Sequence, residues 1–223
     1  MFTRDGYVVF HPDINFRVGY PGPSALDAGV SGSEELIRRG IADPDRIGLQ
    51  GQSWGGDQIN YIITQTDMFR CACAGAGVSD MVSGYATTRD DSGSARMMQY
   101  EGGQSRIGAS LAESPDLYIL NSPVFHLQNV NTPILLRHSD NDNAVPFMQS
   151  MEMFNGLRRL GKQVWLLNYH GERHNMRTWQ AKMDYTLRMH QFFDHYLKDE
   201  PMPRWMSEGI SLRDRGLDLK LDY

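Results

Sequence analysis

Short apolar runs alternate with amphipathic stretches along most of this chain. Gly6-Tyr7-Val8-Val9-Phe10 reads as a strand ending at His11-Pro12-Asp13, and Gly19-Tyr20-Pro21-Gly22-Pro23 reads as a loop. Ala25 to Arg39 predicts a helix, with Gly29 and Gly32 each weighing about 1 kcal/mol against it relative to Ala. Asp43-Pro44-Asp45 is a turn before the short apolar run Arg46-Ile47-Gly48-Leu49-Gln50, read as a strand. Residues 57–66 read as a helix with Ile59, Ile62 and Ile63 on one face. Cys71 to Ala76 reads as a buried strand whose small residues imply close packing, and residues 133–137 form the next strand. Pro146 to Leu160 predicts a helix with Met148, Met151, Phe154 and Leu157 along one face, closed by Gly161. A strand at 164–168 follows. A last helix runs from Thr178 to Leu197, with Trp179, Met183 and Leu187 on its buried side. Residues 81–131 show no dominant period, and a long aperiodic stretch in a compact domain is usually functional or flexible. The alternation predicts the α/β class, a largely parallel sheet flanked by helices, in a single domain over residues 1–223.

Composition narrows the classes of function. The chain has 223 residues, enough for one sizeable core, with 40% hydrophobic and 22% charged residues as in ordinary globular domains. A net charge of −5 gives no electrostatic case for nucleic acid or an anionic membrane as partner. No apolar run approaches the roughly 20 residues of a membrane-spanning helix. Residues 1–6 lack the basic and apolar regions of a signal peptide, which informs only if Met1 is the start of the chain. Cys71 and Cys73 are one residue apart, too close for a relaxed disulfide, and read as packing residues.

The candidate chemistry sits at Gly51-Gln52-Ser53-Trp54-Gly55-Gly56, between a predicted strand and a predicted helix. Gly-x-Ser-x-Gly in that context is a nucleophile elbow, a sharp turn that holds the serine in a strained conformation with its hydroxyl clear of the sheet. A serine hydroxyl is a poor nucleophile at neutral pH and needs a base and a group that orients the base. In hydrolases built this way the partners follow in the order carboxylate, then histidine. The strand at 133–137 runs into Arg137-His138-Ser139-Asp140-Asn141-Asp142, and the strand at 164–168 runs into Tyr169-His170-Gly171-Glu172-Arg173-His174. Topology therefore leaves Asp140 or Asp142 with His170 or His174. His170 and His174 have the spacing of a helical metal pair, but Gly171 after a strand argues for a turn. No metal and no organic cofactor is expected. His126 and His138 read as structural, and His190 and His195 as surface or capping groups on the last helix.

Ser139 to Ser150 resembles the segment around the catalytic aspartate of the prolyl oligopeptidase family, which includes the dipeptidyl peptidase IV-like and acylaminoacyl peptidases. The family pattern is His-Gly-x-x-Asp-x-x-Val with Gln-Ser three or four positions later. Aligning Val145 and Gln149-Ser150 to it selects Asp142. Gly-Glu-x-His at 171–174 resembles the family's histidine segment and selects His174, and Gly51 to Gly56 matches its Gly-x-Ser-[Tyr/Trp]-Gly-Gly. The likeness extends from the strand at 6–10 to the helix ending near 197. It implies an α/β-hydrolase fold with Ser53 as nucleophile, His174 as base and then acid, and Asp142 orienting the imidazole. It also implies the Trp54 N–H as an oxyanion donor, and Val78, Met81 and Val145 with Trp54 around the first specificity pocket. Core packing is the other reading of each pocket residue.

The resemblance further implies what this chain lacks. The strand at 6–10 resembles the fourth strand of the fold, so the first three strands, the second oxyanion donor and the family's β-propeller have no counterpart. The chain is then an N-terminally incomplete catalytic domain. Its 6–10 strand must re-pair or leave an open apolar edge, covered by a homodimer partner or by a missing N-terminal portion. The expected function is hydrolysis of peptide bonds through an acyl-enzyme on Ser53. Turnover by this chain alone is expected to be weak, because loss of one oxyanion donor costs about 10²–10³. The alternatives are a small carboxylesterase acting on short esters, or a catalytically silent fragment or binding module. The expected partner is a peptide or small ester, with no nucleic acid and no membrane.

Overall fold

The computed structural model describes residues 2–89, 91–211 and 213–223. Four strands, β1 (Gly48–Gln52), β2 (Cys71–Gly75), β3 (Ile134–His138) and β4 (Val164–Asn168), form one sheet in the order β1-β2-β3-β4. All three pairings are parallel, with Gly51 opposite Ala74, Ala74 opposite Leu136, and Leu136 opposite Leu166. Parallel neighbours need crossovers, and here helices supply them. α1 (Pro21–Arg38) precedes β1, and α2 (Trp54–Ile62) links β1 to β2. α6 (Met148–Arg159) links β3 to β4, and α7 (Trp179–Lys198) follows β4.

The side-chain alternation of the strands divides the core in two. On one face Ala72, Ala74, Ile134 and Leu136 pack against Ile59 of α2, Ile63 just past its end, and Met153 and Leu157 of α6. On the other face Cys71, Cys73 and Leu135 meet Tyr185, Phe192, Phe193 and Leu197 of α7. Burial pushes the Cys73 thiol up to about 12, so both cysteines, free and buried, serve as small apolar packing groups. The aperiodic stretch 81–131 resolves into short pieces: α3 (Met81–Tyr85), α4 (Met97–Glu101), α5 (Pro115–Leu120) and a 3₁₀ turn at Pro123–Asn129. They close around a third cluster of Val78, Met81, Tyr100, Ile107, Tyr118 and Val145.

Three expectations from the sequence are corrected. Residues 6–10 form no strand. They run irregularly after a 3₁₀ turn at Phe2–Asp5, with Val8 and Val9 exposed. An apolar β-branched run can pair only if a strand lies beside it, and none does among the described residues. Side chains hold this segment instead: Phe2 stacks on His190 at 4.4 Å, and Tyr7 donates its hydroxyl hydrogen to Asp194 at 2.6 Å. Among the described residues the sheet therefore has two edge strands, β1 and β4, and β1 is the one beside which the 6–10 segment does not pair.

The buried side of α7 is also different. Trp179 is 70% exposed, and Met183 and Leu187 are exposed with it. The inward positions are Ala181, Tyr185, Arg188, His190, Gln191, Phe192, Phe193 and Leu197, so His190, read from the sequence as a surface or capping group, is buried. Polar Arg188 and Gln191 are covered by the C-terminal tail, which includes the short helix α8 (Arg204–Ser207), and each hydrogen-bonds to it. Arg188 donates to the Leu219 carbonyl at 3.0 Å, and Gln191 accepts from the Trp205 indole at 2.8 Å. In α6 the face is rotated by about one position: Met148 is exposed and Gln149 points inward, accepting from the Ser79 and Asp80 N–H groups at 2.9 and 2.8 Å.

Substitution in α7 checks this orientation. Phe192→Ala should lower the unfolding free energy by about 3–5 kcal/mol, whereas Trp179→Ala should change it by less than about 0.5 kcal/mol. Urea denaturation measures both, and the opposite ranking would place the other face inward.

Candidate active site

β1 ends at Gln52 and α2 begins at Trp54, so Ser53 alone makes the turn, with φ +57° and ψ −121°. A positive φ is strained for a residue with a Cβ, and the surroundings enforce it. A Cβ on Gly51 would lie 2.5 Å from the Gly55 carbonyl oxygen, and one on Gly56 would lie 2.8 Å from the Gly75 carbonyl oxygen. Bare backbone at both points lets α2 rest directly on β1 and β2. The Ser53 N–H donates to the Gly75 carbonyl at 2.7 Å, and the Ser53 carbonyl accepts from the Asp57 N–H at 3.0 Å. Trp54 is the first residue of α2, where a backbone N–H has no intrahelical acceptor and the helix dipole favours negative charge.

The loops after β3 and β4 bring two further groups to this turn. His174 Nε2 lies 2.8 Å from Ser53 Oγ, and His174 Nδ1 lies 2.8 Å from Asp142 Oδ2. With Nδ1–H donating to the carboxylate, Nε2 is left to accept the serine hydroxyl hydrogen. The Asp142 side chain is fully buried and that of His174 is 13% exposed. Asp142 Oδ1 accepts from the Ala144 and Val145 N–H groups at 2.8 and 2.9 Å. His138, buried on β3, approaches Asp142 Oδ2 at 3.2 Å and the Val145 carbonyl at 3.1 Å through Nε2. Two acceptors at Nε2 place the His138 proton there, leaving Nδ1 to accept from the Ser150 hydroxyl at 2.6 Å. Burial alone would raise the Asp142 carboxyl, but the hydrogen bonds from His138, His174, Val145 and Ala144 outweigh it and hold its pKa well below the usual range.

The other candidates go elsewhere. Asp140 pairs with the His170 ring and accepts from the Gly171 N–H at 2.7 Å, and neither Asp140 nor His170 bonds to Ser53, Asp142 or His174 among the described residues. Val78, Met81 and Val145 do come together with Trp54 in one cluster, but all three are buried and form a floor under the half-buried Trp54 ring.

Three features beside the site were not foreseen. Phe16 lies 5.9 Å from the Trp54 ring, with the Arg106 guanidinium 4.6 Å above Phe16. The backbone carbonyl of His174 accepts from Arg137 at 3.1 Å and Gln52 at 3.3 Å. A cavity of about 340 Å³ beside His174 is lined by Gln52, Arg137, Asn175, Met176 and Lys182, with no carboxylate among the described residues. Phe16 sits in a segment with no periodicity to mark it, and no motif singles out Arg137 at the end of its apolar strand. His138 was legible only as a structural residue.

A parallel sheet whose strands β1, β3 and β4 present at their C-terminal ends a serine at an elbow, an aspartate and a histidine is the α/β-hydrolase arrangement. Within that class the chain belongs to the prolyl oligopeptidase family, whose model matches residues 22–200. It is 30% identical over 201 residues to an acylamino-acid-releasing enzyme of Arabidopsis thaliana, covering 83% of this chain and 26% of that one. An uncharacterized peptidase of Bacillus subtilis is 28% identical over 160 residues, or 72% of this chain and 23% of its own. Among solved structures, an acylaminoacyl peptidase of Pyrococcus horikoshii superposes with a TM-score of 0.73 at 26% identity, over 87% of this chain and 31% of that one. A puromycin-hydrolyzing peptidase of Mycobacterium tuberculosis also gives 0.73, at 28% identity, over 82% and 27%. The chain thus spans about a quarter of the length of these curated relatives.

The depressed Asp142 pKa has a measurable consequence. Its ionised form is favoured by the fold, so its contribution is present above the unfolded value of about 3.9 and is lost as pH falls toward the folded value. The stability gap between the wild type and Asp142→Asn should therefore be largest near about pH 6 and shrink toward about pH 3. A gap that stays constant over this range, measured by chemical denaturation, would contradict the assignment.

Proposed function

We propose that this chain is a catalytic unit that cleaves peptide bonds through an acyl-enzyme on Ser53. The observation that carries this reading is the pair of 2.8 Å contacts from the His174 ring, one to Ser53 Oγ and one to the buried Asp142. His174 Nε2 takes the hydroxyl proton as Oγ attacks the substrate carbonyl carbon. Asp142 stabilises the imidazolium that forms and keeps the ring in one tautomer. The tetrahedral oxyanion accepts from the Trp54 N–H. The carbon–nitrogen bond then breaks as Nε2 returns the proton to the leaving amine, and a water molecule, activated by the same ring, releases the acyl group.

The names of the relatives support a peptide as substrate, since they are acylamino-acid-releasing enzymes, dipeptidyl peptidases and other peptidases. One structural neighbour, 28% identical with a TM-score of 0.71, is an acylaminoacyl peptidase in complex with Z-Gly-Gly-Phe-chloromethyl ketone. None of these names favours an esterase or a silent module. Trp54 above Val78, Met81 and Val145 suits an apolar residue before the scissile bond. His174 protonates the departing amine, so the leaving group lies on its side, where the cavity with Arg137 and Lys182 opens. The open edge of β1 suits a covering strand from a second copy or from the remainder of a longer protein.

A fluorophosphonate probe tests the nucleophile. Labelling should vanish in Ser53→Ala and slow by about 10³-fold or more in His174→Ala, and label retained by Ser53→Ala would reject Ser53. With the Trp54 N–H as the backbone donor at the elbow, an activated nitrophenyl ester should be turned over at least about 10²-fold faster than an acylated peptide anilide. Equal rates would show a fully equipped oxyanion site.

A further inference from the structure

Asp142 and His174 lie on separate loops, and sheet pairing between β3 and β4 ends at His138 opposite Asn168, before either residue. A third element reaches both loops. Between α3 and α4 the chain makes a small hairpin whose arms are bridged at Thr88 and Ala95, with Arg89 and Arg96 N–H groups donating to the Ser94 and Thr87 carbonyls, each at 3.0 Å. At its tip, Asp91 Oδ2 accepts from the Asn143 side-chain amide at 2.7 Å and from the Arg173 guanidinium. Asn143 is the residue after Asp142, and Arg173 is the residue before His174. At the hairpin's base, buried Arg96 donates to the carbonyl of Ala144, whose own N–H is held by Asp142.

We propose that this hairpin is a strap that sets the spacing between the Asp142 loop and the His174 loop, with Asp91 as its positioning residue. Among the described residues its polar ties fall on residues 143, 144 and 173 and on none of the three reacting groups, so it acts on the chemistry through the placement of His174 against Asp142 and Ser53. The Asp91 and Arg173 side chains are 45% and 35% exposed, which makes their ion pair a minor contributor to global stability and sensitive to salt. Small displacements of a reacting group are costly, however, so a weak pair in this place has a large kinetic effect. The aperiodic stretch 81–131 thereby acquires a role beyond lining the apolar floor.

The kinetic readout rests on Ser53 being the nucleophile. Asp91→Asn keeps the shape and the Asn143 contact but removes the charge that holds Arg173. Fluorophosphonate labelling should slow by about 5–10-fold, with the urea midpoint unchanged. The swap Asp91→Arg with Arg173→Asp should recover wild-type labelling to within about twofold, and roughly 0.5 M NaCl should slow the wild type toward the variant. Wild-type labelling that is unchanged in Asp91→Asn overturns the strap. So does a urea midpoint that falls in step with the labelling rate, which would make the hairpin a plain stabilising element. If the wild type itself is not labelled, the nucleophile reading fails and the low-field proton resonance of His174 Nδ1–H decides the strap. Broadening of that resonance in Asp91→Asn supports the strap, and an unaltered line overturns it.

Discussion

The close approach of α2 to β1 and β2 is the constraint on which the rest of this structure depends. Gly51 and Gly56 meet backbone at distances that no side chain tolerates, so the chain must reverse within one residue between Gln52 and Trp54. That reversal forces Ser53 to a positive φ and leaves its hydroxyl beyond the end of the sheet. Strain of this kind persists only where the surroundings over-determine it. Here the Ser53 N–H and carbonyl are both engaged and the small residues of β2 lie directly beneath. The same contact starts α2 at Trp54, so the serine and a free helix N-terminal donor sit side by side.

The second constraint is electrostatic. A carboxylate as buried as Asp142 would be neutral unless its charge were compensated, and two backbone N–H groups and two histidines compensate it. The ionised state then fixes the His174 tautomer, because Nδ1 must donate to it. His138 and Ser150 back this arrangement from within the core, so a polar network runs from β3 and α6 to the surface at Ser53. Outside it lie two loop-to-loop ties, Asp140 with His170 and Asp91 with Arg173, both more exposed and individually weaker.

Much of this layout is legible in the sequence. Alternating strands and helices dictate a parallel sheet, and a parallel sheet puts every strand-to-helix loop at one end, so the loops bearing Ser53, Asp142 and His174 must be neighbours. Choosing between Asp140 and Asp142 needed the surrounding motif, because both lie in the same loop. What could not be read was partnership at long range. Val8 and Val9 have the propensity of a strand but nothing beside them to pair with. Trp179, Met183 and Leu187 trace an apolar stripe, yet the tail around Trp205 and Leu221 buries the polar stripe beside Arg188 and Gln191 and turns the helix the other way. Asp91 lies in a stretch without periodicity, and its ties to Asn143 and Arg173 exist only in the fold.

In the proposed reaction Ser53, made nucleophilic by His174 and Asp142, takes up an acyl group. Rapid acid quench of the protein with an activated acyl ester, followed by peptide mass mapping, tests it most directly. The acyl mass increment is expected on the peptide that carries Ser53. An increment located on another residue, or none at any quench time while the ester is consumed, would contradict it.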